Sequence, residues 1–418
     1  MDKPDVVTED AAERRPGVPA APPARPTWPV RLYALVRAFV RPRRRWCWGT
    51  RLVVTASLAW LAFVILHRLL SGLTWLWAPF DLIPPIMFLA VPAALLAVAP
   101  LARPVRWRIM ATLLVSALLG FGFSGVNLAT VWYTPPPAPP GAITVVSWNT
   151  EFWDQNWRSA DGDAYDAGFY EYLRGMNADV YLLKEYLYSA GGNGFDGEWT
   201  ADMAIRIDKL AQLRREFPGY AIAISGEQIT LSRLPIVRQY GIDLRPWLPA
   251  RWRAIPPSLR TWPESFTSET LRTDIRVGGS IVSFYNAQIL QPPMGWRLYQ
   301  AKARAADRYN QARRAASYAA LRHDVEHNGN PAVLGADLNT SPAMGVRRLL
   351  PGKLVDESRA LSSIYPTTWG QAGGIPLWRI DWVLATRDVI VHRHELPGAA
   401  GLSDHRAQRV VLSVRRQA

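Results

Sequence analysis

The stretch from Pro331 to Pro342 holds residues whose types and spacing suit chemistry. Its apolar run 332–334 predicts a buried strand, which Gly335 is expected to end where the backbone passes close to another group. Asp337 and Asn339 follow two residues apart, so both side chains would point to one face of an extended chain. A carboxylate and an amide presented together suit a metal site or phosphoryl chemistry. An Asx turn that only closes the strand is the alternative interpretation.

The ends of other predicted strands carry similar polar groups. Ligands in layered α/β folds gather at strand ends, so these groups are candidates for one shared site. A carboxylate inside an apolar strand needs a partner, and histidine is the commonest partner in a catalytic pair. Each group could instead be an exposed loop residue or a structural histidine. The groups are Asn149 and Glu151 after the strand 143–148, Lys184 and Glu185 after 180–183, Asn286 and Gln288 in the strand 279–290, Asp381 in 379–384, and Asp404 and His405 before 408–413.

The positive charge of the chain is unevenly placed. The net charge is +14 over 418 residues. Residues 1–140 contain 15 Lys and Arg against 6 Asp and Glu, whereas residues 141–418 contain 33 against 28. Most of the excess therefore lies beside apolar segments, where it bears on membrane topology more than on nucleic-acid binding. The single cysteine, Cys47, excludes an intrachain disulfide.

The first 133 residues predict a membrane domain behind a disordered tail. Residues 1–30 are rich in Pro and Ala without apolar periodicity, which predicts disorder. Within 31–133, three apolar runs at about 47–68, 83–101 and 109–132 each predict a transmembrane helix. Basic residues precede the first run and separate the second from the third, so the positive-inside rule places the N-terminus in the cytoplasm. We expect a multi-pass protein of the cell membrane, in contact with the lipid bilayer, whose remaining residues are extracytoplasmic. Three buried core helices are the alternative.

A proline-rich linker, 134–141, separates these helices from a soluble unit, 142–418. Six short motifs of this unit occur in the order Ser147-Trp148-Asn149, Leu183-Lys184-Glu185, Ser232-Arg233-Leu234-Pro235, Gly335-Ala336-Asp337-Leu338-Asn339, Arg379-Ile380-Asp381 and Ser403-Asp404-His405. This order resembles the endonuclease/exonuclease/phosphatase superfamily, the DNase I-like fold, here as a membrane-anchored bacterial member. The resemblance implies a four-layer α/β sandwich, with two mixed β-sheets flanked by helices, preceded by three transmembrane helices. It also implies Mg²⁺-dependent cleavage of a phosphoester by water, with Mn²⁺ or Ca²⁺ as alternative metals.

The resemblance further implies a role for each polar group. Metal ligands would be Glu185, as the principal one, with Asn149, Asp404 and Glu151. Catalytic residues would be Asp337, which orients or deprotonates the attacking water, Asn339, which binds the phosphate, and His405, which contacts the phosphate and is held by Asp381. Substrate-binding residues would be Gln288, Asn286 and Lys184.

Three positions depart from the pattern of the superfamily. Lys184 stands where Gln is usual, Ala336 replaces a Gly, and Gln288 stands where many members have a second histidine. Glutamine can hydrogen-bond a phosphate but cannot donate a proton as an imidazolium does. Two functions therefore follow: a membrane-anchored metal-dependent phosphoesterase acting on nucleic acid or a phospholipid headgroup, or a catalytically impaired membrane-tethered binding module. The sequence indicates no protein partner.

Overall fold

The computed structural model describes residues 46–102, 105–155, 167–190, 204–292, 300–370 and 375–415. The predicted disordered tail, 1–30, and the basic residues 31–45 lie outside these ranges. The described chain begins with apolar helices between residues 48 and 123, which we call the helical bundle. It continues as a layered α/β unit between residues 143 and 414, which we call the sandwich.

The strands of the sandwich form two large sheets. The strands are β1 Ile143–Asn149, β2 Val180–Lys184, β3 Leu187–Ser189, β4 Ala204–Arg206, β5 Ala221–Ser225, β6 Gln228–Ser232, β7 Ile236–Asp243, β8 Ser268–Val277, β9 Ser280–Gln288, β10 Ala332–Asp337, β11 Val355–Asp356, β12 Asp381–Ala385, β13 Val389–Glu395 and β14 Gln408–Val414. The first sheet has the order β13-β14-β1-β2-β6-β5, the second has β11-β12-β10-β9-β8-β7, and β3 pairs with β4. Both six-stranded sheets are mixed, because β1–β2 and β9–β10 are parallel pairs whereas β1–β14 and β10–β12 are antiparallel.

The sheets pack face to face with helices on their outer sides. The helices of the bundle are α1 Trp48–Leu70, α2 Ala78–Asp81, α3 Met87–Val98 and α4 Arg106–Gly120. Those of the sandwich are α5 Ala167–Met176, α6 Leu210–Glu216, α7 Pro263–Thr267 and α8 Ala301–His327. Leu182 of the first sheet and Phe284 of the second share the core between the sheets. Leu173 of α5 and Leu213 of α6 pack on the first sheet, and Leu321 of α8 packs on the second. These layers confirm the α/β part of the predicted fold.

The alternation of side chains along β1 explains where a site can form. Val145, Ser147 and Asn149 share the face that points to the other sheet, and along this face the side chains change from apolar to polar. In β10 the same change runs from Val333 to Asp337. The space between the sheets is therefore lined by apolar side chains at one end and by polar side chains at the other, where these strands end.

The helical bundle differs in extent from the three predicted spans. Two helical stretches are long and apolar enough to cross a bilayer: α1 has 23 residues, and Arg106–Phe123, which is α4 with a 3₁₀ turn, has 18. The second stretch ends near Phe123 and not at residue 132, because the chain turns at Gly125 with φ +73°. Between them, Met87–Leu101 is a shorter apolar helix. It begins four residues later than predicted, since Pro84 and Pro85 precede it.

One expectation for the sandwich needs correction. Gly335 does not end its strand, because β10 continues to Asp337. A Cβ at Gly335 would lie 2.8 Å from Leu182 Cδ1 and from Ser147 Oγ, so the close approach predicted there is between the two sheets. The Trp- and Pro-rich sequence of 238–276 predicts strand pieces within a loop, and the structure has most of β7 and β8 at the ends of this segment, with α7 between them.

Candidate active site

Strand pairing brings the acidic groups of the second sheet together. Asp337, the last residue of β10, pairs with Asp381, the first residue of β12. On its other side Asp337 pairs with Gln288, the last residue of β9. Asp337 is 1 % exposed and Asp381 4 % exposed. Two carboxylates are thus held side by side with almost no access to bulk water.

Asn149 links the two sheets at this point. Its Nδ2 donates to Glu185 Oε1 at 2.9 Å and to Asp337 Oδ2 at 3.0 Å. Glu185 follows β2 with φ +61°, a strained conformation for a residue with a side chain. Its Oε1 also accepts from Gln288 Nε2 at 2.7 Å, and its Oε2 accepts from the amide of Phe152 at 3.1 Å. Burial raises the pKa of Glu185, against the hydrogen bond from Asn149.

His405 comes from the first sheet and reaches the carboxylates of the second. Ser403 fixes its loop, because the Ser403 hydroxyl donates to Asn149 O and accepts from the amide of His405. His405 Nδ1 lies 2.9 Å from Asp381 Oδ2, and Nε2 lies 3.9 Å from Asp337 Oδ2. Burial by itself lowers the pKa of His405, but Asp381, Asp337 and Asp404 raise it well above its ordinary value. These carboxylates therefore favour the cationic form of the imidazole.

Asp337 also orders the turn that follows it. Its Oδ1 accepts from the backbone amide of Asn339 at 2.9 Å, and Asn339 adopts φ +45°. The Asn339 side chain donates to Ile289 O at 2.9 Å and approaches Asp337 Oδ2 at 3.3 Å. Burial, and next to it the negative charge of Asp381, raises the pKa of Asp337 to about 7. The carboxyl is thus placed to exchange a proton near neutral pH.

Asp404 and Glu151 form the more open side of the cluster. The Asp404 amide donates to Glu151 Oε2 at 2.8 Å, and the Glu151 amide donates to Asn149 Oδ1 at 3.0 Å. Trp369 Nε1 donates to Asp404 Oδ2 at 2.7 Å, and Asp404 Oδ1 lies 3.6 Å from His405 Nε2. Both carboxylates are half-buried.

Lys184 and Asn286 lie beneath the cluster, and this position does not fit the substrate contacts that the sequence predicted for them. Both are fully buried. Lys184 Nζ donates to Ser147 Oγ at 2.5 Å and to Leu182 O at 3.1 Å. Burial lowers the pKa of Lys184 to about 7, against the opposing effects of Asp381 and Asp337. Asn286 Nδ2 donates to Leu183 O and Ile229 O, so it ties the second sheet to the first. Both residues are placed to support the site from below.

Sequence reasoning missed several residues that hold the cluster. The alanine- and arginine-rich sequence of 301–327 predicts a solvated helix face, but Arg314 is 4 % exposed and donates to Thr340 Oγ1 at 2.6 Å and to Asn339 O at 3.2 Å. Thr368 Oγ1 accepts from the amide of Asp381 at 3.0 Å. Arg314 precedes Tyr318 by four residues, on the face of α8 that Tyr318, Leu321 and Val325 bury, and this spacing is the signal that could have identified it.

The donor set of the cluster fits a hard divalent cation. Glu185, Asn149, Asp404 and Glu151 offer carboxylate and amide oxygens, the ligands that Mg²⁺ prefers. In addition, Gln288 Oε1 is a buried oxygen that receives no hydrogen bond from the described residues. Asp337, Asp381 and His405 also have ligand atoms within 4.8 Å of one another. His405 Nδ1 is already bonded to Asp381, however, so this trio is better suited to holding a proton than a metal.

Solved structures that resemble the chain include an endonuclease/exonuclease/phosphatase from Beutenbergia cavernae, with 18 % identity over 66 % of this chain and 72 % of that one and a TM-score of 0.42. The corresponding protein from Bacteroides vulgatus has 14 % identity over 66 % and 99 %, with a TM-score of 0.45. A mannosyl-6-phosphatase from Bacteroides thetaiotaomicron has 16 % identity over 65 % and 99 %, with a TM-score of 0.43. No curated protein matches the sequence. The model of the Endonuclease/Exonuclease/phosphatase family matches residues 193–405, half of the chain, which therefore belongs to this family.

Proposed function

We propose that the protein is a membrane-anchored, Mg²⁺-dependent phosphoesterase that hydrolyses a phosphodiester or phosphomonoester by attack of water. Family membership supports a phosphoesterase in general. The observation that carries the finer proposal is the convergence of polar groups from two different sheets: Asn149 bonds both Glu185 and Asp337, and His405 Nε2 lies 3.9 Å from Asp337. Candidate substrates are nucleic acid and phospholipid headgroups.

The side chains of the first sheet would hold the metal. Glu185 would be the principal ligand, with Asn149, Asp404 and Glu151 beside it, and Mn²⁺ or Ca²⁺ would be accepted by the same oxygens. A bound Mg²⁺ supplies polarisation of a phosphoryl oxygen and orientation of the substrate. Gln288 now donates to Glu185, and its amide could instead donate to a bound phosphate.

The side chains of the second sheet, together with His405 of the first, would manage the proton and the charge. Asp337, whose pKa is raised to about 7, would take the proton of the attacking water. Asn339, fixed by its bonds to Asp337 and Ile289, would bind a phosphate oxygen. His405, charged and held by Asp381, would stabilise the negative charge that grows on the phosphate.

The helical bundle supports the membrane part of the proposal. Its two longest helical stretches, of 23 and 18 residues, have the length and hydropathy of membrane spans. We place the N-terminus in the cytoplasm, because the basic residues precede the first helix. The sandwich then lies on the outer face, with the shorter apolar helix Met87–Leu101 as the middle one of three crossings.

Turnover by the full chain in detergent tests this function. The substrates are DNA, RNA, sphingomyelin, phosphoinositides and bis(p-nitrophenyl) phosphate, each with Mg²⁺ and with EDTA. We expect Mg²⁺-dependent hydrolysis that falls at least about 100-fold in Asp337→Asn and in His405→Asn. Glu326→Gln, which removes an exposed ion pair with Arg322 on α8, is the matched control and should keep full activity.

A catalytically impaired binding module is the second candidate, because Gln288 cannot donate a proton as an imidazolium would. It predicts that phosphoesters bind to the wild-type chain with Mg²⁺ and are not turned over. That result would replace the phosphoesterase proposal, and turnover lost in both site variants would exclude the binding module.

A further inference from the structure

The loop that follows Asn339 packs against one end of the helical bundle. His67, near the C-terminus of α1, is fully buried, and its Nε2 lies 2.8 Å from Ala343 O. The indole of Trp77 donates to His67 Nδ1 at 3.1 Å. An indole nitrogen can only donate, so Nδ1 accepts and Nε2 carries the hydrogen that is donated to Ala343. Both ring nitrogens are therefore committed to holding this contact.

A second contact lies one turn further along the bundle. Ser71 Oγ donates to Asp81 Oδ1 at 2.6 Å and accepts from the amide of Gly345 at 2.6 Å. Ser71 O accepts from Arg348 Nη2 at 2.6 Å. Ser71, Asp81 and Gly345 are buried, so the hydrogen bonds among them are protected from competition with water, whereas Arg348 is exposed. We call His67, Ser71, Trp77 and Asp81 the docking cluster.

Two glycines allow the backbones to touch at the docking cluster. A Cβ at Gly345 would lie 2.2 Å from Ser71 O, and a Cβ at Gly72 would lie 2.4 Å from the amide nitrogen of Val346. Gly72 also has φ +75°, a conformation that favours glycine. The position of the loop on the bundle is thus fixed by close backbone packing as well as by hydrogen bonds.

The same loop is held by the sandwich at its other end. Trp382 Nε1 donates to Thr340 O at 2.8 Å, and Arg314 bonds both Thr340 and Asn339. The residues from Thr340 to Gly345 are all buried. A shift of Ala343 or Gly345 would therefore pass along a short, packed segment to Asn339.

A second loop connects the bundle to the other side of the candidate site. Trp378 Nε1 donates to Leu82 O at 3.2 Å, and the ring of Trp378 packs against Trp369 with centroids 5.6 Å apart. Trp369 in turn donates to Asp404. Both loops that border the bundle therefore contact site residues.

We propose that the docking cluster positions the catalytic loops, so that full turnover requires the helical bundle to be seated on the sandwich. This inference rests on the proposed phosphoesterase function. His67 and Ser71 act as positioning residues, because they touch the loop that carries Asn339 and have no contact with Asn339 or Asp337. A misplacement of about 1 Å in an active site can cost 10²-fold in rate, so the effect belongs mainly in kcat.

The test compares matched variants of the full chain in detergent. His67→Phe keeps an aromatic ring against Phe88 and Phe123 but loses the hydrogen bond to Ala343, whereas His67→Gln keeps an N–H donor. Gly345→Ala disturbs the backbone contact between Gly345 and Ser71, whereas Gly352→Ala, seven residues later, adds a Cβ with no atom within 4 Å. We measure kcat, KM, the Mg²⁺ concentration for half-activation, and Tm on the substrate that the wild type hydrolyses.

We expect kcat to fall about 10- to 100-fold in His67→Phe and Gly345→Ala, with the Mg²⁺ requirement unchanged because Glu185 lies outside the loop. His67→Gln should recover most of kcat, and Gly352→Ala should keep all of it. Wild-type kcat in both disruptive variants, even with a lower Tm, would mean that the cluster is only an anchor and would overturn the inference. An equal fall in Gly352→Ala would overturn it as well. Absence of turnover by the wild type would overturn the proposed function itself, and with it this inference.

Discussion

The two sheets of the sandwich are built alike up to the candidate site and differ in what they bring to it. Each has one parallel pair of strands, β1–β2 and β9–β10, whose C-terminal ends meet there. The first sheet ends in Asn149 and, one residue beyond β2, in Glu185. The second ends in Gln288 and Asp337, with Asp381 paired opposite Asp337. At the C-terminal ends of these parallel strands, the same framework thus presents Glu185 on one side and the pair Asp337 and Asp381 on the other.

Burial separates the chemistry of the two sides. Glu185 is half-buried and is hydrogen-bonded only by amide N–H donors in the described structure, so its charge can meet a cation that arrives from solvent. Asp337 and Asp381 are almost fully buried and share the cation of His405. A buried carboxylate pair beside an imidazolium favours control of a proton. We infer that the metal and proton roles are divided between the sheets by solvent access.

The largest expected effect is a difference between the two sides in how far added Mg²⁺ restores the activity of a variant. Glu185→Gln keeps the size of the side chain but removes its charge, so we expect the Mg²⁺ concentration for half-activation to rise about 10- to 100-fold. Excess Mg²⁺ should restore most of kcat. Asp337→Asn, on the second sheet, should lose kcat without such recovery. Titration of activity with Mg²⁺ in both variants measures this. Equal rescue of the two variants, or of neither, would contradict the division of roles.

The next prediction concerns the place where the two sheets come closest. Gly335→Ala inserts a methyl group 2.8 Å from Leu182 and Ser147, and overpacking of this kind costs about 1–3 kcal/mol. We expect a lower free energy of unfolding by that amount in urea titrations. Gly329→Ala, in the turn before β10 where a Cβ has no atom within 4 Å, is the control. A loss of stability no greater than that of the control would mean that the sheets can separate at Gly335 without cost.

Much of the candidate site could be predicted from the sequence, because the pattern of apolar and polar residues along a strand indicates where polar side chains lie. The sequence predicts that Asn149 and Asp337 stand where apolar strands end, and β1 and β10 do end at these residues. The pairing of His405 with Asp381 also follows from the need of a buried carboxylate for a partner. Where a residue falls along a strand and whether its neighbours are apolar are local properties.

The remainder depends on contacts between distant parts of the chain. Asn286 was expected at the substrate, but its amide spans the gap between the sheets to Leu183 and Ile229. The burial of Arg314 depends on the turn at Thr340, which lies 26 residues away in sequence. The proline-rich linker predicts a boundary between the helices and the soluble unit, yet hydrogen bonds join the bundle to the sandwich. Hydrogen bonds such as His67 to Ala343, across 276 residues, have no signature in either segment alone.

The smallest expected effect tests Lys184, the first-sheet residue that lies beneath the carboxylates of the second. Burial lowers the pKa of Lys184 to about 7 in the folded state, whereas a lysine in an unfolded chain titrates at about 10.4. Between these values the unfolded chain still holds a proton that the folded protein has released, so stability rises with pH across this window. Below about pH 7 both states are charged, and the full cost of burying the ammonium remains.

Replacing this lysine with a neutral residue should therefore change the pH dependence of stability. Glutamine carries no charge and can still donate to Ser147, so Lys184→Gln should raise Tm most at pH 6, by a few degrees, and the gain should shrink toward pH 10. Thermal unfolding in EDTA at constant ionic strength measures this, with Lys353→Gln, a half-buried lysine that donates to Asn328 O, as the control. If the gain in Tm from Lys184→Gln stays constant from pH 6 to 10, the folded and unfolded chains release the Lys184 proton at the same pH, and burial does not lower the pKa of this ammonium. Lys184 would then be a stable counter-charge to Asp337 and Asp381, and the two sheets would share their electrostatics instead of dividing them.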